Sequence, residues 1–580
     1  MKKNIMNAVS RRKFIRNSII VASGTTLLPL SACTEDEILE VIDPEPAPEG
    51  EYGFFEGVAS FDPSSSQILL WTRYTPASNE TTNEITLEVA TDIEFLNVIA
   101  NEKVTIDTAS DYTVNVDVSG LNSNTSYFYR FSSSFSKAIS PIGETKTLPA
   151  TGEVNDVKMA VVSCANYQAG LFNVYGAVAL SDADVVIHLG DYIYEYGAEG
   201  YGINAMTASL DRFHQPKDEI LSIEDYRTRY RQYRQDTQLQ KLHQTKPFIC
   251  VWDDHEITND AYKDGAENHN EGEGDYETRK AYALQVWHEY LPARVTDNAK
   301  IYRSFDFGGI VDLHMLDTRI IGREKQLDYS DYFTAIGLDA AKFMADWGNT
   351  NRTLLGAEQR GWLAGQLASG TAKWQVLGSQ VLMGTYTIPV ELLQIVAAIA
   401  ASGAASSALV SQYQQSVTEL LTIKGRIAQG DPTVTAEEKA RLTTVLPYNL
   451  DAWDGYPVER EIIFGAAAGK QLITLAGDTH NAWNSNLMDA SGNKIGEEFA
   501  TASVSSPGFE GIFGTNPSTI GPFEQANVAL IEGLKYADAS RRGFVLATFS
   551  NTAANAEWHF VNDVFSEDTS TTMAHSTIVS

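Results

Sequence analysis

Residues 185–197 read VVIHLGDYIYEYG, and this stretch decides the fold class. A short apolar run, Val185–Leu189, stops abruptly at Gly190-Asp191. Runs of the same kind recur at Met159–Val162, Phe248–Trp252, Ile310–Leu316, Trp374–Leu377 and Leu472–Ala476. Segments with helical spacing lie between them, as at Tyr226, Tyr230 and Tyr233. Continuous apolar strands that alternate with helices predict an α/β region with covered sheets.

Polar groups follow four of these predicted strands. They are Cys164 and Asn166 after Met159–Val162, Asp191 and Tyr194 after Val185–Leu189, Asp253-Asp254-His255-Glu256 with Asn259 after Phe248–Trp252, and Asp478 with His480 after Leu472–Ala476. Ligands in α/β sheets bind beyond the carboxyl ends of the strands. Buried carboxylates of like charge need a cation between them. The pattern therefore predicts a metal site.

The region before Pro149 has a different, all-β pattern. Gln67–Arg73, Glu84–Ala90 and Tyr112–Val118 alternate apolar and polar residues, as half-buried strands do. Leu121–Phe131 resembles the tyrosine corner of fibronectin-type sandwiches, with Tyr127 as the corner residue. We predict a small immunoglobulin/fibronectin-like β-sandwich over residues 53–150, followed by an α/β domain over 151–565 and a C-terminal tail over 566–580.

The N-terminus has the order of an export signal. The arginine pair of Ser10–Ile15 (SRRKFI) precedes the apolar stretch Ile19–Leu30, and Leu30–Cys33 (LSAC) resembles a bacterial lipobox. Residues 1–32 are therefore predicted to be a twin-arginine lipoprotein signal, and 33–52 an acidic tether. The expected result is a periplasmic or cell-surface protein, exported by the twin-arginine machinery and held at the membrane by lipid on Cys33.

The composition narrows the choice of partners. Lys and Arg total 43 against 75 Asp and Glu, which gives a formal net charge of −32. This charge argues against nucleic acid as a stable partner. It does not argue against a small anionic substrate, because bound cations reverse the local field.

The inserted segment 390–445 is rich in Ala, Ser and Leu, and it is either a packed helical hairpin or a lid or membrane-facing flap.

Six motifs carry a resemblance to a known family. SCAN, HLGDYIYEYG, WDDHEITND, LDTR, DAWDGYPVER and LAGDTHNAW resemble those of the PhoD-type alkaline phosphatases, in the calcineurin-like metallophosphoesterase superfamily. The resemblance extends from Phe54 to about Phe565. It implies that the α/β domain is a two-sheet metallophosphoesterase sandwich flanked by helices.

The resemblance also implies roles for individual residues. Cys164, Tyr194 and His480 correspond to ligands of a first metal, Asp254 and Asp478 to ligands of a second, and Asp191 to the carboxylate that bridges both. Asn259 is a further candidate ligand or phosphate contact. Among catalytic candidates, His255 corresponds to the histidine that contacts the phosphate or leaving group, Arg319 would hold a phosphate oxygen, and Asn166 ends the opening motif.

The ligand types indicate the metals. Thiolate, phenolate and imidazole suit Fe³⁺, whereas a set of oxygen ligands suits Ca²⁺. The resemblance implies the same iron–calcium centre, with Zn or Mn as alternatives. The expected function is an exported alkaline phosphatase that hydrolyses phosphomonoesters and phosphodiesters, with a metal-bound hydroxide or oxide as nucleophile. The alternatives are a phospholipase-D-like phosphodiesterase and, more remotely, a non-catalytic surface lipoprotein that binds through its β-sandwich.

The export signal generates a first prediction. Arg11→Lys combined with Arg12→Lys should leave the precursor in the cytoplasm, because the pathway requires the arginine pair. Cys33→Ala should export normally but carry no lipid. Fractionation with a labelled fatty acid measures both effects. Normal export and acylation of the double lysine variant would show that the pathway is wrongly assigned.

Overall fold

The computed structural model describes residues 49–580, except 335–336 and 402–405. The predicted signal, Cys33 and most of the acidic tether lie outside the described residues. Within the described part of the chain, no helix combines the length and apolar composition that a membrane span needs.

A β-sandwich forms near the start of the described chain, as predicted. One of its sheets has the order β4 (Val98–Thr105), β3 (Glu84–Ala90), β6 (Ser126–Ser132), β7 (Gly143–Lys146). Facing it are β1 (Val58–Phe61), β2 (Gln67–Arg73) and β5 (Thr113–Ser119). Apolar side chains of both layers, such as Leu70 and Leu87, form one buried cluster. The tyrosine corner is present, because the Asn122 amide donates to the Tyr127 hydroxyl at 2.8 Å.

This sandwich shares a sheet with the α/β region. The nine-stranded sheet runs β24 (Thr571–Val579), β23 (Ala554–Val561), β22 (Gly543–Ser550), β8 (Asp156–Val162), β9 (Val185–His188), β10 (Phe248–Cys250), β1, β2, β5. Strands β8, β9 and β10 are parallel, and β1 continues the sheet by pairing with β10 at Phe61 and Phe248. The small domain is thus joined to its neighbour by backbone pairing.

The prediction of a C-terminal tail over residues 566–580 is wrong for most of that segment. Thr571–Val579 forms the edge strand β24, which pairs antiparallel with β23. The segment was not recognised because most of its side chains are exposed, so its sequence (TTMAHSTIV) lacks the apolar alternation of a half-buried strand.

A second sheet of seven strands packs against the first. Its order is β11 (Arg303–Phe307), β12 (Val311–Met315), β15 (Trp374–Gly378), β18 (Gln471–Ala476), β20 (Lys494–Ala500), β19 (Ala482–Met488), β21 (Leu534–Asp538). One buried cluster contains Val161 and Val186 of the first sheet together with Val376 and Ile473 of the second. Each apolar run predicted from the sequence is a strand of one of these two sheets, which explains its continuous hydrophobicity.

Helices cover the outer faces of the two sheets. They are α1 (Asn173–Leu180), α2 (Ile223–Arg234), α3 (Thr237–Thr245), α4 (Tyr276–Tyr290), α5 (Ala340–Trp347), α6 (Gly356–Ser369), α7 (Val390–Ala401), α8 (Ser407–Ala428), α9 (Ala436–Thr443), α10 (Pro457–Ala466), α11 (Glu510–Phe513) and α12 (Pro517–Leu530). Tyr226, Tyr230 and Tyr233 lie on the buried face of α2.

The inserted segment consists of α7, α8 and α9. Two short strands close its base, β16 (Thr387–Pro389) and β17 (Val445–Pro447), which pair with each other. A further short pair, β13 (Phe333–Thr334) and β14 (Gly337–Leu338), precedes α5. Leu392, Ile395 and Tyr413 of the insertion are buried in the same cluster as Leu363 and Ile463 of the covering helices. The insertion is therefore packed onto the body of the protein.

Candidate metal centre

The candidate site lies where strand ends of the two sheets meet. Cys164 follows β8, Asp191 follows β9, Asp254 follows β10, and Asp478 and His480 follow β18. These four strands carry their polar residues at their carboxyl ends, as the sequence analysis predicted. Cys164, Asp191 and Asp254 are buried, whereas Asp478 and His480 are partly exposed. The centre is therefore open on the β18 side.

The backbone at this site is strained. Cys164 (φ 61°), Asp191 (φ 55°), Asp478 (φ 66°) and His480 (φ 63°) all lie in the left-handed region that side chains other than glycine rarely adopt. Such outliers persist only where the surrounding structure imposes them, and they cluster at functional sites. The turn after β9 adds a steric constraint, because a Cβ on Gly190 would lie 2.4 Å from the Asp253 backbone nitrogen.

The first group of ligand atoms contains the set predicted for iron. Sγ of Cys164, a carboxylate oxygen of Asp191 and a ring nitrogen of His480 lie within 4.8 Å of one another. The Tyr194 hydroxyl is 3.0 Å from Asp191 Oδ2 and 3.1 Å from His480 Nε2. Thiol, carboxylate, phenol and imidazole are thus brought to one point.

Hydrogen bonds fix the orientation of His480. Its Nδ1 is 2.8 Å from the Pro507 carbonyl oxygen, which only accepts, so Nδ1 carries the proton. Nε2 is then unprotonated and faces Tyr194. The Tyr201 hydroxyl also lies 3.1 Å from Nδ1 and 3.1 Å from the same carbonyl. Desolvation of the ring lowers the pKa of His480 to about 3, which favours the neutral form that can act as a ligand.

A second group consists mainly of carboxylates. Asp253, Asp254 and Asp478 offer oxygens within 4.8 Å of one another, and Asp191 forms a similar cluster with Asp254 and His255. Asp191 belongs to the first group and also clusters with Asp254 of the second, as expected for a bridging ligand. Asp253 is an additional member to which the sequence analysis gave no role.

The charge of these carboxylates is not balanced by hydrogen bonds. Oδ1 of Asp191 and Oδ2 of Asp253 are buried and have no hydrogen-bond partner among the described residues. Burial raises the pKa of Asp191 well above its ordinary value. Desolvation does the same to the pKa of Asp478, and the neighbouring Asp451 and Asp253 add to it. A cation placed between these groups would satisfy the lone oxygens and stabilise the charged forms, so the residues present fit a metal site.

Arg319 supplies part of the missing positive charge. It is fully buried and donates to Asp451 at 2.8 Å and to Asp478 at 3.1 Å, and its Nε is bonded to Asp253. Burial opposes ionisation of Asp254, but Arg319 and His255 outweigh it and lower the pKa of Asp254 below the ordinary range. The predicted contact between Arg319 and a phosphate oxygen remains a prediction.

His255 is held by a carboxylate that the sequence analysis missed. Its Nδ1 lies 2.7 Å from Oε2 of Glu195, which is fully buried. Glu195 also accepts from the Asn259 amide at 2.9 Å and from Nδ2 of Asn268 at 2.8 Å. Burial lowers the pKa of His255, but the surrounding Asp191, Asp254 and Glu195 raise it well above its usual value. Nε2 of His255 has no hydrogen-bond partner among the described residues.

Two predicted residues have side chains engaged elsewhere. Asn166 donates to the Tyr201 carbonyl at 3.2 Å and accepts from the Gln168 amide at 3.2 Å, which caps a 3₁₀ turn. Asn259 donates to Oε2 of Glu267 at 3.1 Å. Neither contact brings the side chain to a ligand atom of the two groups. Cys250 is buried in the main core cluster, as expected for a thiol that is not a ligand.

The fold and the site together define a two-sheet metallophosphoesterase, which confirms the expected fold class. The family model for PhoD-like phosphatases matches residues 159–558, and the model for the N-terminal domain of PhoD-like phosphatases matches residues 41–149. The chain therefore belongs to the PhoD-like phosphatase family, and it is a phosphatase.

Two relatives agree with this family. Alkaline phosphatase D of Bacillus subtilis (strain 168) is 31% identical over 523 residues, which cover 87% of this chain and 77% of that protein. A solved structure of PhoD superposes with a TM-score of 0.71 at 27% identity, covering 92% of this chain and 91% of the other.

The shared carboxylates generate a prediction about metal content. Asp191→Ala and Asp478→Ala should each lose bound metal by more than the roughly 10–100-fold in affinity that loss of an outer-shell partner causes. Both variants should stay folded, because each substitution removes a carboxylate that is repelled by its acidic neighbours. Elemental analysis after dialysis, with circular dichroism, measures both properties.

Asp264→Ala is the matched control, since Asp264 is an exposed carboxylate whose ion-pair partner in the described part of the chain is Lys263, at 3.7 Å. It should retain the full metal content. If Asp191→Ala retained it as well, the proposed bridging role would be wrong.

Proposed function

We propose that this phosphatase is an exported enzyme of the alkaline type that hydrolyses phosphomonoesters and phosphodiesters with an iron–calcium centre. The observation that carries the proposal is the convergence of Cys164, Tyr194 and His480 on Asp191, a carboxylate that also clusters with Asp254 of the acidic group. The two carboxylate oxygens of Asp191 can therefore serve two cations of different character.

The two groups differ in donor chemistry. A thiol, a phenol and an imidazole favour a borderline, electron-poor metal such as Fe³⁺, whereas Asp254 and Asp478 offer oxygen alone and favour Ca²⁺. Zn or Mn in either position is the alternative. Cations bound there would lower the pKa of a water molecule and offset the charge that develops on the phosphoryl oxygens.

The residues around the centre would orient the ester. Glu195 holds Nδ1 of His255 at 2.7 Å, and this contact leaves Nε2 to donate to the oxygen of the departing alcohol. Protonating that oxygen matters most for alcohols that are poor leaving groups. Arg319, fixed among four carboxylates, would keep the oxygen ligands in position while adding positive charge beside the phosphate.

The location of the enzyme is proposed from its N-terminus. The SRRKFI motif, the following apolar stretch and the LSAC site support twin-arginine export and a lipid on Cys33. An enzyme placed there would release phosphate from esters outside the cytoplasm.

The role of His255 generates a prediction about leaving groups. With phenyl phosphate, His255→Ala should lose about 10²–10⁴-fold in turnover, the usual contribution of a general acid. With p-nitrophenyl phosphate the loss should be much smaller, because p-nitrophenolate leaves without a proton. The wild type should hydrolyse both p-nitrophenyl phosphate and bis(p-nitrophenyl) phosphate.

His559→Ala is the control, because His559 lies on β23 and bonds Glu557 of the same strand. It should leave all of these rates unchanged. Equal losses of His255→Ala on both monoesters would argue against proton donation, and failure on the diester would remove diesterase activity from the proposal.

Iron generates a prediction about colour. Charge transfer from the phenolate of Tyr194 and the thiolate of Cys164 to Fe³⁺ should make the metal-loaded protein absorb visible light, which a Zn²⁺ or Ca²⁺ centre does not. Tyr194→Phe should shift or abolish the band, and Cys250→Ala should leave it unchanged. An active wild type that is colourless and contains no iron would defeat the iron assignment.

A further inference from the structure

The loop after β20 crosses the candidate iron ligands. The Val504 amide donates to the Ser163 carbonyl at 2.9 Å, and the Ser506 amide donates to the Cys164 carbonyl at 3.3 Å. Arg542 also holds the loop, because its Nε donates a hydrogen bond to the Ser505 carbonyl at 3.1 Å. The loop is therefore bound to the backbone that carries Cys164.

The side chain of Ser506 points at a predicted metal ligand. Its Oγ lies 2.7 Å from the Tyr194 hydroxyl and 3.0 Å from the Cys164 carbonyl oxygen. Ser506 is fully buried, so water does not replace these contacts. One hydroxyl thus touches two residues that belong to the same proposed ligand set.

Whether Ser506 must donate to the Tyr194 oxygen depends on whether Tyr194 carries its own hydroxyl proton. A serine hydroxyl donates one hydrogen bond, and here two acceptors compete for it. A protonated Tyr194 can itself donate to Asp191 Oδ2, which lies 3.0 Å away. A Tyr194 that has lost its proton to become a ligand can only accept, and Ser506 is then the donor placed to stabilise it.

We infer that Ser506 is a positioning residue, which donates a hydrogen bond to the Tyr194 oxygen when that oxygen binds metal. This inference rests on the ligand role given to Tyr194 under the proposed function. Hydrogen bonds to charged acceptors are stronger than those between neutral groups, so the contact should gain strength when the metal binds. Outer-shell donors of this kind orient a ligand and tune the metal that it holds.

A neighbouring serine provides a matched control. Ser505 is equally buried and lies in the same loop, but its Oγ donates to the Asn166 carbonyl at 2.8 Å. It makes no contact with the Tyr194 hydroxyl. Comparing Ser506→Ala with Ser505→Ala therefore separates the specific hydrogen bond from any general loosening of the loop.

The test is a double-mutant cycle on metal retention. Wild type, Ser506→Ala, Tyr194→Phe and the double variant are loaded with metal, and the loss of metal to a chelator is followed by elemental analysis. Ser506→Ala should release the metal of the first group at least about 10-fold faster than wild type. In the Tyr194→Phe background, the same change should have a much smaller effect, because only the contact with the Cys164 carbonyl is left to lose.

A spectroscopic readout accompanies the cycle. Without the donor, the electrons of the phenolate lie higher in energy, so the visible band of the iron-loaded protein should move to longer wavelength. Ser505→Ala should leave the band and the release rate unchanged. Equal acceleration by Ser506→Ala in both backgrounds, or none in either, would overturn the inference.

The cycle also separates this inference from the proposed metals. A colourless, iron-free wild type would refute the iron assignment alone. The release rates of whichever metal the first group holds would still decide for or against the coupling between Ser506 and Tyr194.

Discussion

Mutual repulsion among buried carboxylates is the constraint on which the rest of this structure depends. Asp191, Asp253 and Asp254 meet between the two sheets, and two of their oxygens have no hydrogen-bond partner in the part of the chain that the structure describes. Such a cluster is unfavourable in a protein interior unless positive charge enters it. Arg319 supplies one charge from within the chain, and the donor set calls for cations to supply the remainder.

The proposed ligands also lie on strained turns at the strand ends. Four proposed ligands hold positive φ, and each would relax if its loop were free. Glu256 prevents this for the turn after β9, because it accepts from the amides of Asp191 (3.1 Å) and Tyr192 (2.7 Å), and it also accepts from the Asp253 amide (2.8 Å) after β10. A single buried carboxylate thus ties the turn after β9 to the turn after β10, and the packed strands behind them fix both.

The sequence was sufficient to predict these apolar strands and the convergence of the polar side chains that follow them directly. The rule that polar residues after apolar strands meet at one edge of a sheet brought Cys164, Asp191, Asp254 and Asp478 together without knowledge of the topology, and their role as ligands stays a prediction. It could not identify Glu195 or Ser506, because their roles depend on partners on other elements, His255 and Tyr194. The side chains of Asn166 and Asn259 instead form local hydrogen bonds, which join Asn166 to the Gln168 amide and Asn259 to the Glu267 carboxylate. The edge strand β24 was not predicted because most of its side chains are exposed, so its sequence shows no regular alternation of apolar and polar residues.

The distribution of ligands along the chain has a consequence for assembly. Tyr194 and His480 are 286 positions apart, yet their polar atoms lie 3.1 Å from each other only because β9 and β18 belong to two packed sheets. An unfolded or half-folded chain therefore has no metal site, so metal binding and folding stabilise each other. Export in the folded state, as proposed from the arginine pair at 11–12, would let the iron site form before the protein leaves the cytoplasm. The partly exposed Asp478 would leave the oxygen-rich group accessible to Ca²⁺ afterwards.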